Sequence, residues 1–294
     1  MNKSHILFVI NPKSGGTDKS GLDKIIKKAC AKAEQSYTIH YTTGENDLAK
    51  LEDKLESIEA TTVVACGGDG TVNLVAKGLL NREVNLGIIP LGSANGLANE
   101  FDIPEDEEES LDLILKNSAQ AVDVVCINDD HISIHLSDVG FNAQMIREFE
   151  KDQVRGKFGY AKAFFKSILN RESESYEIYL DGKGEAIHEE AEMLVFANAS
   201  SYGTGAIINP DSQLDDGLFE VIVFKPIPFS ELPSLTFESF FGNIKDSPFV
   251  KIYQAKEAKI VCKKRQLLQI DGELLGEMKE IDLKIMPAAL QLIK

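Results

Sequence analysis

An apolar stretch of this chain ends in three glycines and one carboxylate. After residues 63–66 come, in order, Gly67, Gly68, Asp69, Gly70, Thr71, Val72 and Asn73. Glycines leave backbone N–H groups uncovered, so these groups can lie directly against phosphate oxygens. Thr71 is a candidate cap for a following helix, and Asp69 is suited to hold a cation at the positive end of that helix. The segment predicts binding of a magnesium nucleotide, although a tight turn has the same composition.

Two more glycine loops follow apolar segments in the first third of the chain. One contains Asn11, Pro12, Lys13, Ser14, Gly15 and Gly16, and the other spans residues 90–96 and contains Ser93 and Asn95. The carboxyl ends of parallel strands meet at one edge of a sheet, so we expect the three loops to lie together. They predict a phosphate cradle built without a Walker A sequence.

Strand and helix patterns alternate through residues 1–122. We predict strands at residues 6–10, 37–41, 62–66 and 86–89, and helices at residues 22–33, 47–57 and 72–80. Strands this short and apolar suit a sheet that is covered on both faces. The first domain is therefore predicted to be an α/β nucleotide-binding domain with a parallel sheet flanked by helices.

The pattern changes to β-rich segments from about residue 123 to residue 285. We predict strands at residues 122–127, 131–136, 176–180, 193–197, 218–224, 259–261, 267–270 and 281–285, and helices near residues 160–169 and 230–240. Turn residues separate these strands, which favours hairpins. The second domain is therefore predicted to be a mainly antiparallel β-sandwich, with residues 286–294 as a candidate return to the first domain.

The composition limits the compartment and the partners. The chain has 294 residues and a formal net charge of −16, whereas a nucleic-acid partner would require a basic face. The four cysteines are widely spaced, which is typical of small core residues in a reducing compartment. We expect no secretory leader and no transmembrane segment, because no apolar run approaches the roughly 20 residues of a membrane span. A cytoplasmic protein, at most peripherally bound to a membrane, is predicted.

The order of five segments resembles the catalytic family of diacylglycerol and sphingosine kinases, including its bacterial soluble lipid kinases. The segments are Asn-Pro-Lys-Ser-Gly-Gly at 11–16, Gly-Gly-Asp-Gly-Thr at 67–71, Pro-Leu-Gly-Ser-Ala-Asn at 90–95, Leu-Asp-Asp-Gly-Leu at 214–218 and Asp-Gly-Glu at 271–273. The resemblance covers nearly the whole chain. It implies a two-domain lipid kinase that uses ATP and Mg²⁺.

The same resemblance assigns nucleotide and metal ligands. The first loop and residues 67–73 match the family's nucleotide-binding segments, and Ser93 stands where the family usually has threonine. Thr42 resembles an ATP-contacting threonine, with the adjacent Thr43 as the alternative. Asp216, with backbone oxygens near Gln213 and Leu218, is similar to a magnesium site. Without the resemblance, residues 215–217 would be interpreted as a hairpin turn.

The resemblance makes Glu273 the general base, with Asp271 beside it for a metal or water network. Asp69 is the third catalytic candidate. Phosphoryl transfer to an alcohol needs a metal on the phosphate charge and a carboxylate within about 3 Å of the attacking hydroxyl. The alternative for residues 271–273 is a type I′ turn with two solvated acids.

The acceptor is less well defined than the reaction. Diacylglycerol kinases of this family usually have an aspartate where this chain has Gly96, after Asn95. The sphingosine kinase branch likewise tends to lack this aspartate, which keeps a sphingoid base or ceramide as the second expectation after a diacylglycerol-like lipid. An NAD kinase and a non-enzymatic lipid or nucleotide sensor are further alternatives.

A lipid acceptor implies contact with a membrane surface, here its inner face. Residues 157–166 combine aromatic side chains with three lysines, which could dock on anionic lipid. Residues 229–249 are an equally good candidate for a lid or a wall around lipid tails. A homodimer is a candidate assembly.

Overall fold

The computed structural model describes residues 4–14, 21–93, 95–116, 118–141, 143–144, 172–201, 206–240 and 244–294. These residues form two compact units. Unit 1 comprises Met1–Val124 and Pro287–Lys294, and unit 2 comprises Val125–Met286. The predicted helix at residues 160–169 and the lysine-rich segment at residues 157–166 lie outside the described residues.

Unit 1 alternates strands and helices. Its strands are β1 (His5–Ile10), β2 (Ser36–Tyr41), β3 (Thr62–Gly67) and β4 (Asn85–Pro90), and its helices are α1 (Leu22–Lys32), α2 (Asp47–Ser57), α3 (Asp69–Leu79), α4 (Gly96–Glu100) and α5 (Glu107–Lys116). Strand β5 (Ala119–Ile127) leaves the unit, and the end of β14 (Glu273–Ile293) returns to it. The four predicted strands of this unit agree with the structure to within one residue at each end.

The sheet of unit 1 is parallel, with β1 paired to β2 and β3, and with β4 between β3 and the end of β14. Apolar side chains of β1, β3 and β4 pack against α1 and α5 on one face. Helix α3 packs on β3 and β4, and α2 packs on α3. The predicted parallel sheet flanked by helices is confirmed.

Unit 2 is mainly antiparallel. Its strands after β5 are β6 (His131–Ser133), β7 (Leu136–Gly140), β8 (Glu174–Leu180), β9 (Ile187–Ala191), β10 (Met193–Ala197), β11 (Phe219–Phe224), β12 (Val250–Ala255), β13 (Glu257–Ile270) and most of β14, and a helix α6 (Leu232–Phe240) lies between β11 and β12. One apolar cluster contains side chains from nearly all of these strands. A second cluster joins the other face of β7, β10, β11 and β12 to Leu235 of α6.

Strand β13 belongs to both layers of this sandwich. Its first part, at Ala258–Cys262, pairs with β8, and its last residues, Leu268–Ile270, pair with β7. Between these parts its register with β14 shifts, between Val261 and Gln266. Because of this irregularity, one strand can belong to two layers. One layer contains β8 and β9, and the other contains β7, β10, β11 and β12. The predicted β-sandwich is confirmed.

Two strand predictions in this half were wrong in detail. The strands predicted at residues 259–261 and 267–270 are one strand, because the charged residues between them continue β13 with exposed side chains. The strand predicted at residues 131–136 is divided into β6 and β7. Among the described residues, no helix has both the length and the apolar character of a membrane span.

The carboxylate of Glu189 joins the edge strands of the two layers. Glu189 lies on β9, and its Oε1 accepts hydrogen bonds from Lys251 Nζ at 2.6 Å and from Tyr253 OH at 2.7 Å on β12. Burial alone would raise the pKa of Glu189, but these two hydrogen bonds outweigh burial and lower it. The ionised carboxylate therefore stabilises the folded sandwich.

We predict that Glu189→Gln costs about 1–2 kcal/mol of unfolding free energy at pH 7, because a hydrogen-bonded ion pair is lost. The folded-state pKa lies below the unfolded one, so the stabilisation is present above about pH 4.3 and is lost as the pH falls through the lowered pKa. Urea unfolding at pH 7 and at lower pH measures the difference.

Glu185→Gln is the matched control, because Glu185 is an exposed loop residue. It should leave the unfolding free energy unchanged at both pH values. If the unfolding free energies of wild type and Glu189→Gln differed by the same amount at every pH, the stabilising role of the ionised Glu189 carboxylate would be contradicted.

Candidate active site

Backbone hydrogen bonds join the carboxyl ends of four neighbouring strands in unit 1. Thr42 N donates to Ile10 O at 2.9 Å, Asn11 N donates to Cys66 O at 3.0 Å, and Leu91 N donates to Gly67 O at 2.8 Å. These bonds continue the pairing of β2, β1, β3 and β4 one residue beyond the strands. The three glycine loops therefore begin side by side at one edge of the sheet.

The second and third loops touch through their backbones at Gly68 and Gly92. A Cβ atom added to Gly92 would lie 2.5 Å from Gly68 Cα and 2.7 Å from Asn95 Oδ1. A Cβ atom added to Gly68 would lie 3.1 Å from Gly92 Cα. Only glycines allow the two loops to approach this closely.

Thr71 does not cap helix α3, contrary to the prediction. The helix begins at Asp69, three residues earlier than a Thr71 cap requires, and its N-cap is Gly68 in an extended conformation. Thr71 Oγ1 instead accepts a hydrogen bond from Asn11 Nδ2 at 3.2 Å, and the side chain covers Gly67. A Cβ atom at Gly67 would lie 2.2 Å from Thr71 Oγ1. Thr71 therefore connects the first loop to the second.

Asp69 stands in the first turn of α3, where the helix presents its positive end. The side chain is half-buried. Within the part of the chain that the structure describes, its carboxylate has no hydrogen-bond or ion-pair partner. An acceptor in this position is available to a cation that accompanies an anionic ligand.

The first loop places a lysine at the same edge. The Lys13 side chain is exposed, and the backbone N–H of Lys13 donates to Asn11 Oδ1 at 2.9 Å. Ser14 Oγ donates to Asn11 O at 3.2 Å. Asn11 thereby fixes the shape of the loop while the Lys13 ammonium extends from it. Gly15, which was predicted to bind nucleotide, lies outside the described residues.

The third loop is closed by its own asparagine. Asn95 has a left-handed backbone (φ 51°), its Oδ1 accepts from Gly92 N at 2.8 Å, and its Nδ2 donates to Gly92 O at 3.2 Å. The Asn95 amide is thus engaged within the loop, and Ser93 is exposed at its tip. Of these two predicted ligands, Ser93 is better placed to reach a bound phosphate.

The structure distinguishes Thr42 from Thr43. Thr43 N and Oγ1 both donate to Asp47 Oδ1, at 2.8 and 3.0 Å, and Gly44 N donates to Asp47 Oδ2 at 2.7 Å. Burial would raise the pKa of Asp47, but the bonds from Thr43 and Gly44 outweigh burial and lower it. Thr43 is therefore part of a turn, whereas the Thr42 hydroxyl is not.

The other predicted ligands of unit 1 lie around the same edge. Pro12 and Gly70 are exposed, Val72 is buried on α3, and Asn73 is half-buried on α3. Exposed glycine backbone at Gly70 can contact a ligand. Val72 contributes to packing under the loop.

Residues 271 and 272 form the two-residue turn between β13 and β14. Ile270 pairs with Glu273, and both turn residues have positive φ, 47° at Asp271 and 91° at Gly272. This conformation is typical of a type I′ hairpin. Glu273 follows the turn directly and is exposed.

Asp271 is not a solvated acid, so this part of the alternative interpretation was wrong. Its carboxylate accepts hydrogen bonds from Ser133 Oγ at 2.7 Å, Ile134 N at 3.0 Å and His135 N at 3.1 Å. Burial raises the pKa of Asp271, and these donors with the His135 charge act in the opposite direction. The carboxylate holds the link between β6 and β7, a long-range contact that a local turn pattern does not reveal.

Asp216 lies in the long connection between β10 and β11, which excludes a tight hairpin here. Its Oδ1 accepts from Leu218 N at 2.9 Å, and both Asp216 and Gln213 are exposed. Burial raises the pKa of nearby Glu220, and the negative charge of Asp216 raises it further. A cation bound at Asp216 would reduce this repulsion.

Two buried polar side chains beside the turn were missed from the sequence. Gln269 on β13 and Asp138 on β7 are 1% and 0% exposed. A signal was available, because Asp138 is an acid within an otherwise apolar segment. A buried carboxylate normally has a dedicated partner.

Both halves of the chain match models of known protein families. Residues 5–127 match the model of the diacylglycerol kinase catalytic domain. Residues 137–294 match that of the YegS C-terminal NAD kinase beta sandwich-like domain. The two matches together span nearly the whole chain.

Similar proteins of nearly equal length occur in enterobacteria. A protein from Enterobacter sp. (strain 638) that is named "Probable lipid kinase YegS-like" is 28% identical to this chain. The match covers 97% of this chain and 94% of the length of that protein. A protein of the same name from Yersinia pestis (strain Pestoides F) is 26% identical. That match covers 98% of this chain and 96% of the length of the Yersinia protein. The crystal structure of a putative diacylglycerol kinase from Bacillus anthracis str. Sterne matches with a TM-score of 0.81 at 23% identity, over 99% of this chain and 96% of that one. At that identity the structural likeness shows the fold.

We predict that Gly92→Ala lowers the unfolding free energy by about 1–3 kcal/mol, the usual cost of forcing an extra methyl group into a packed site. The new Cβ would lie within 2.5 Å of Gly68 Cα, so the loops must separate. Urea unfolding of both proteins measures the loss. Gly184→Ala is the control, because a Cβ there meets no atom within 4 Å. Equal stability of Gly92→Ala and wild type would show that the loops do not touch.

Proposed function

The chain belongs to the family that joins a diacylglycerol kinase catalytic domain to a YegS C-terminal NAD kinase beta sandwich-like domain, and we propose that it transfers the γ-phosphoryl group of ATP to a hydroxyl of a diacylglycerol-like lipid. It is a lipid kinase. The proposal adds two points to this family membership: the lipid that accepts the phosphoryl group, and the use of Mg·ATP as its donor. A sphingoid base or ceramide is the second choice of acceptor.

The observation that carries the proposal is the set of adjoining loops in unit 1. The backbone of Gly68 and Gly70 is open at this edge, the close approach of Gly68 and Gly92 joins two of the loops, and helix α3 begins there. Amides and a helix N-terminus bind phosphate oxygens without any charged side chain. Lys13 adds one positive charge for the terminal phosphates.

Asp69 suits a magnesium ion that arrives with the nucleotide. Mg²⁺ keeps several waters and binds proteins through one or two carboxylates together with substrate phosphates. The half-buried Asp69 carboxylate supplies one such ligand. When bound, Mg²⁺ neutralises charge on the phosphate oxygens during transfer. Within the described ranges, no three His, Cys, Asp or Glu side chains form a metal cluster.

A second magnesium position is proposed at Asp216, with backbone oxygens near Gln213 and Leu218. All the donors in this set are oxygens, which suit Mg²⁺. The Asp216 Oδ1 atom is already engaged by Leu218 N, so the other carboxylate oxygen would face the ion.

Glu273 is proposed as the general base that accepts the proton of the lipid hydroxyl. Its carboxylate is exposed, while the turn that carries it is fixed by buried contacts. The Asp271 carboxylate already accepts three hydrogen bonds from residues 133–135. We therefore assign Asp271 to the support of the turn, and Glu273 to proton transfer.

Exposed aromatic rings in unit 2 suit the lipid acceptor. Phe229 is 59% exposed and Phe237, on α6, is 63% exposed. Exposed rings of this size favour apolar surroundings, such as acyl chains at the inner face of the membrane. Peripheral membrane contact through this segment is part of the proposal.

Incubation with radiolabelled ATP, Mg²⁺ and a lipid extract, followed by chromatography, tests the function. A labelled phospholipid that depends on the protein is the expected result, and its headgroup identifies the acceptor. Label in a water-soluble dinucleotide alone would overturn the proposal in favour of an NAD kinase. ATP binding without any transfer would overturn it in favour of a sensor.

Glu273→Gln should lower kcat by about 10²- to 10⁴-fold, the range for removal of a general base. The affinity for ATP, measured by calorimetry, should remain that of wild type, because Glu273 does not contact phosphate in the proposal. Glu277→Gln, an exposed change on the same strand, is the control and should keep wild-type kcat. Wild-type turnover by Glu273→Gln would exclude Glu273 as the base.

A further inference from the structure

A buried pair of polar side chains lies directly behind the turn that carries Glu273. Gln269 and Asp138 face each other on the neighbouring antiparallel strands β13 and β7. Both are almost completely buried. A carboxylate and an amide in such a place are costly unless their hydrogen bonds are satisfied, so their arrangement needs a reason.

Gln269 bridges this pair to the turn. Its Nε2 donates to Asp138 Oδ2 at 2.5 Å, and its Oε1 accepts from Gly272 N at 2.7 Å. Gly272 immediately precedes Glu273. The bridge needs a donor on one side and an acceptor on the other, and a glutamine amide provides both in a fixed relation.

The strand after the turn keeps its regular pairing only as far as Leu274. Leu268 pairs with Gly276 and Gln269 pairs with Leu274, so Leu275 is an extra residue that forms a bulge. Gly276 has φ 131°, which side-chain-bearing residues rarely adopt. Bulges interrupt the ladder and redirect nearby side chains. Among the described residues, side-chain contacts also hold the turn that carries Glu273: Gln269 supplies one, and Asp271 supplies at least three.

We propose that Gln269, anchored by Asp138, is a positioning residue that holds the Gly272 amide and thereby aims the Glu273 carboxylate at the acceptor hydroxyl. This inference rests on the proposed role of Glu273 as the base. A displacement of about 1 Å at a reacting group can cost about 100-fold in rate. Loss of the bridge should therefore reduce kcat and leave ATP binding in unit 1 unchanged.

Gln269→Glu breaks the bridge with almost no change in size. It removes the donor to Asp138 and places two carboxylates in contact, which repel. The double variant Asp138→Asn with Gln269→Glu restores the pattern, because the new amide at 138 donates to the new carboxylate at 269, which still accepts from Gly272 N. The exposed Gln120 provides the matched control, Gln120→Glu.

Steady-state kinetics with the lipid acceptor give the first readout. Gln269→Glu should lose about 10- to 100-fold in kcat with the KM for ATP unchanged, and the double variant should recover most of the loss. Wild-type kcat in Gln269→Glu, or a loss that the double variant does not reduce, would overturn the inference. If Gln269→Glu does not fold, the double variant decides: kcat within about 10-fold of wild type supports the bridge, and a larger loss overturns it.

Hydrogen exchange of the Gly272 amide gives a readout that needs no turnover. Exchange should be slow in wild type and in the double variant, and about 10-fold faster or more in Gln269→Glu. Equal exchange in all three proteins would overturn the bridge whatever the activity. An inactive wild type with the expected exchange pattern would instead refute the proposed kinase function and leave the bridge supported.

Discussion

The backbone contact between Gly68 and Gly92 is the constraint on which the candidate nucleotide site depends. Parallel pairing of β3 and β4 brings the two loops to one edge, but any side chain at Gly92 would force them apart. Their approach, with the Asn11 to Thr71 hydrogen bond, joins separate strand ends into one surface on which the backbone of Gly68 and Gly70 is open. A surface of this kind binds phosphate by its shape and its partial charges, so it tolerates the acidic composition of the chain.

In the proposed mechanism, unit 2 must hold one exposed acid, Glu273, in a fixed direction. A general base must stay accessible to its substrate, so its position cannot come from the packing of its own carboxylate. Part-buried hydrogen bonds of Asp271, within the turn, and of Gln269, shortly before it, hold the turn instead. The two acids of this segment lie only two residues apart and have opposite environments. Hydrogen-bond donors surround the Asp271 carboxylate, whereas the Glu273 carboxylate is open to solvent. Burial and donor supply, rather than residue type, separate a supporting carboxylate from a reactive one.

Part of this arrangement could be predicted from the sequence. Apolar runs followed by glycines gave strand ends to within one residue in unit 1, because a buried strand has a simple local pattern. The cap at Thr71 was wrong, because an extended glycine can begin a helix and its conformation leaves no mark in the sequence. The continuous β13 was missed because exposed lysine and arginine residues in a strand have the composition of a loop. The bond between Gln269 and Asp138 joins residues 131 positions apart, so only the folded chain reveals it.

The claim that the glycine loops hold the triphosphate of ATP is tested most directly by amide NMR during titration with Mg²⁺ and a non-hydrolysable ATP analogue. The account predicts saturable shifts at the amides of Gly68 and Gly70, with the phosphate-free nucleoside producing much smaller shifts at the same signals. Saturable binding of the analogue that leaves these amides unshifted would contradict the account.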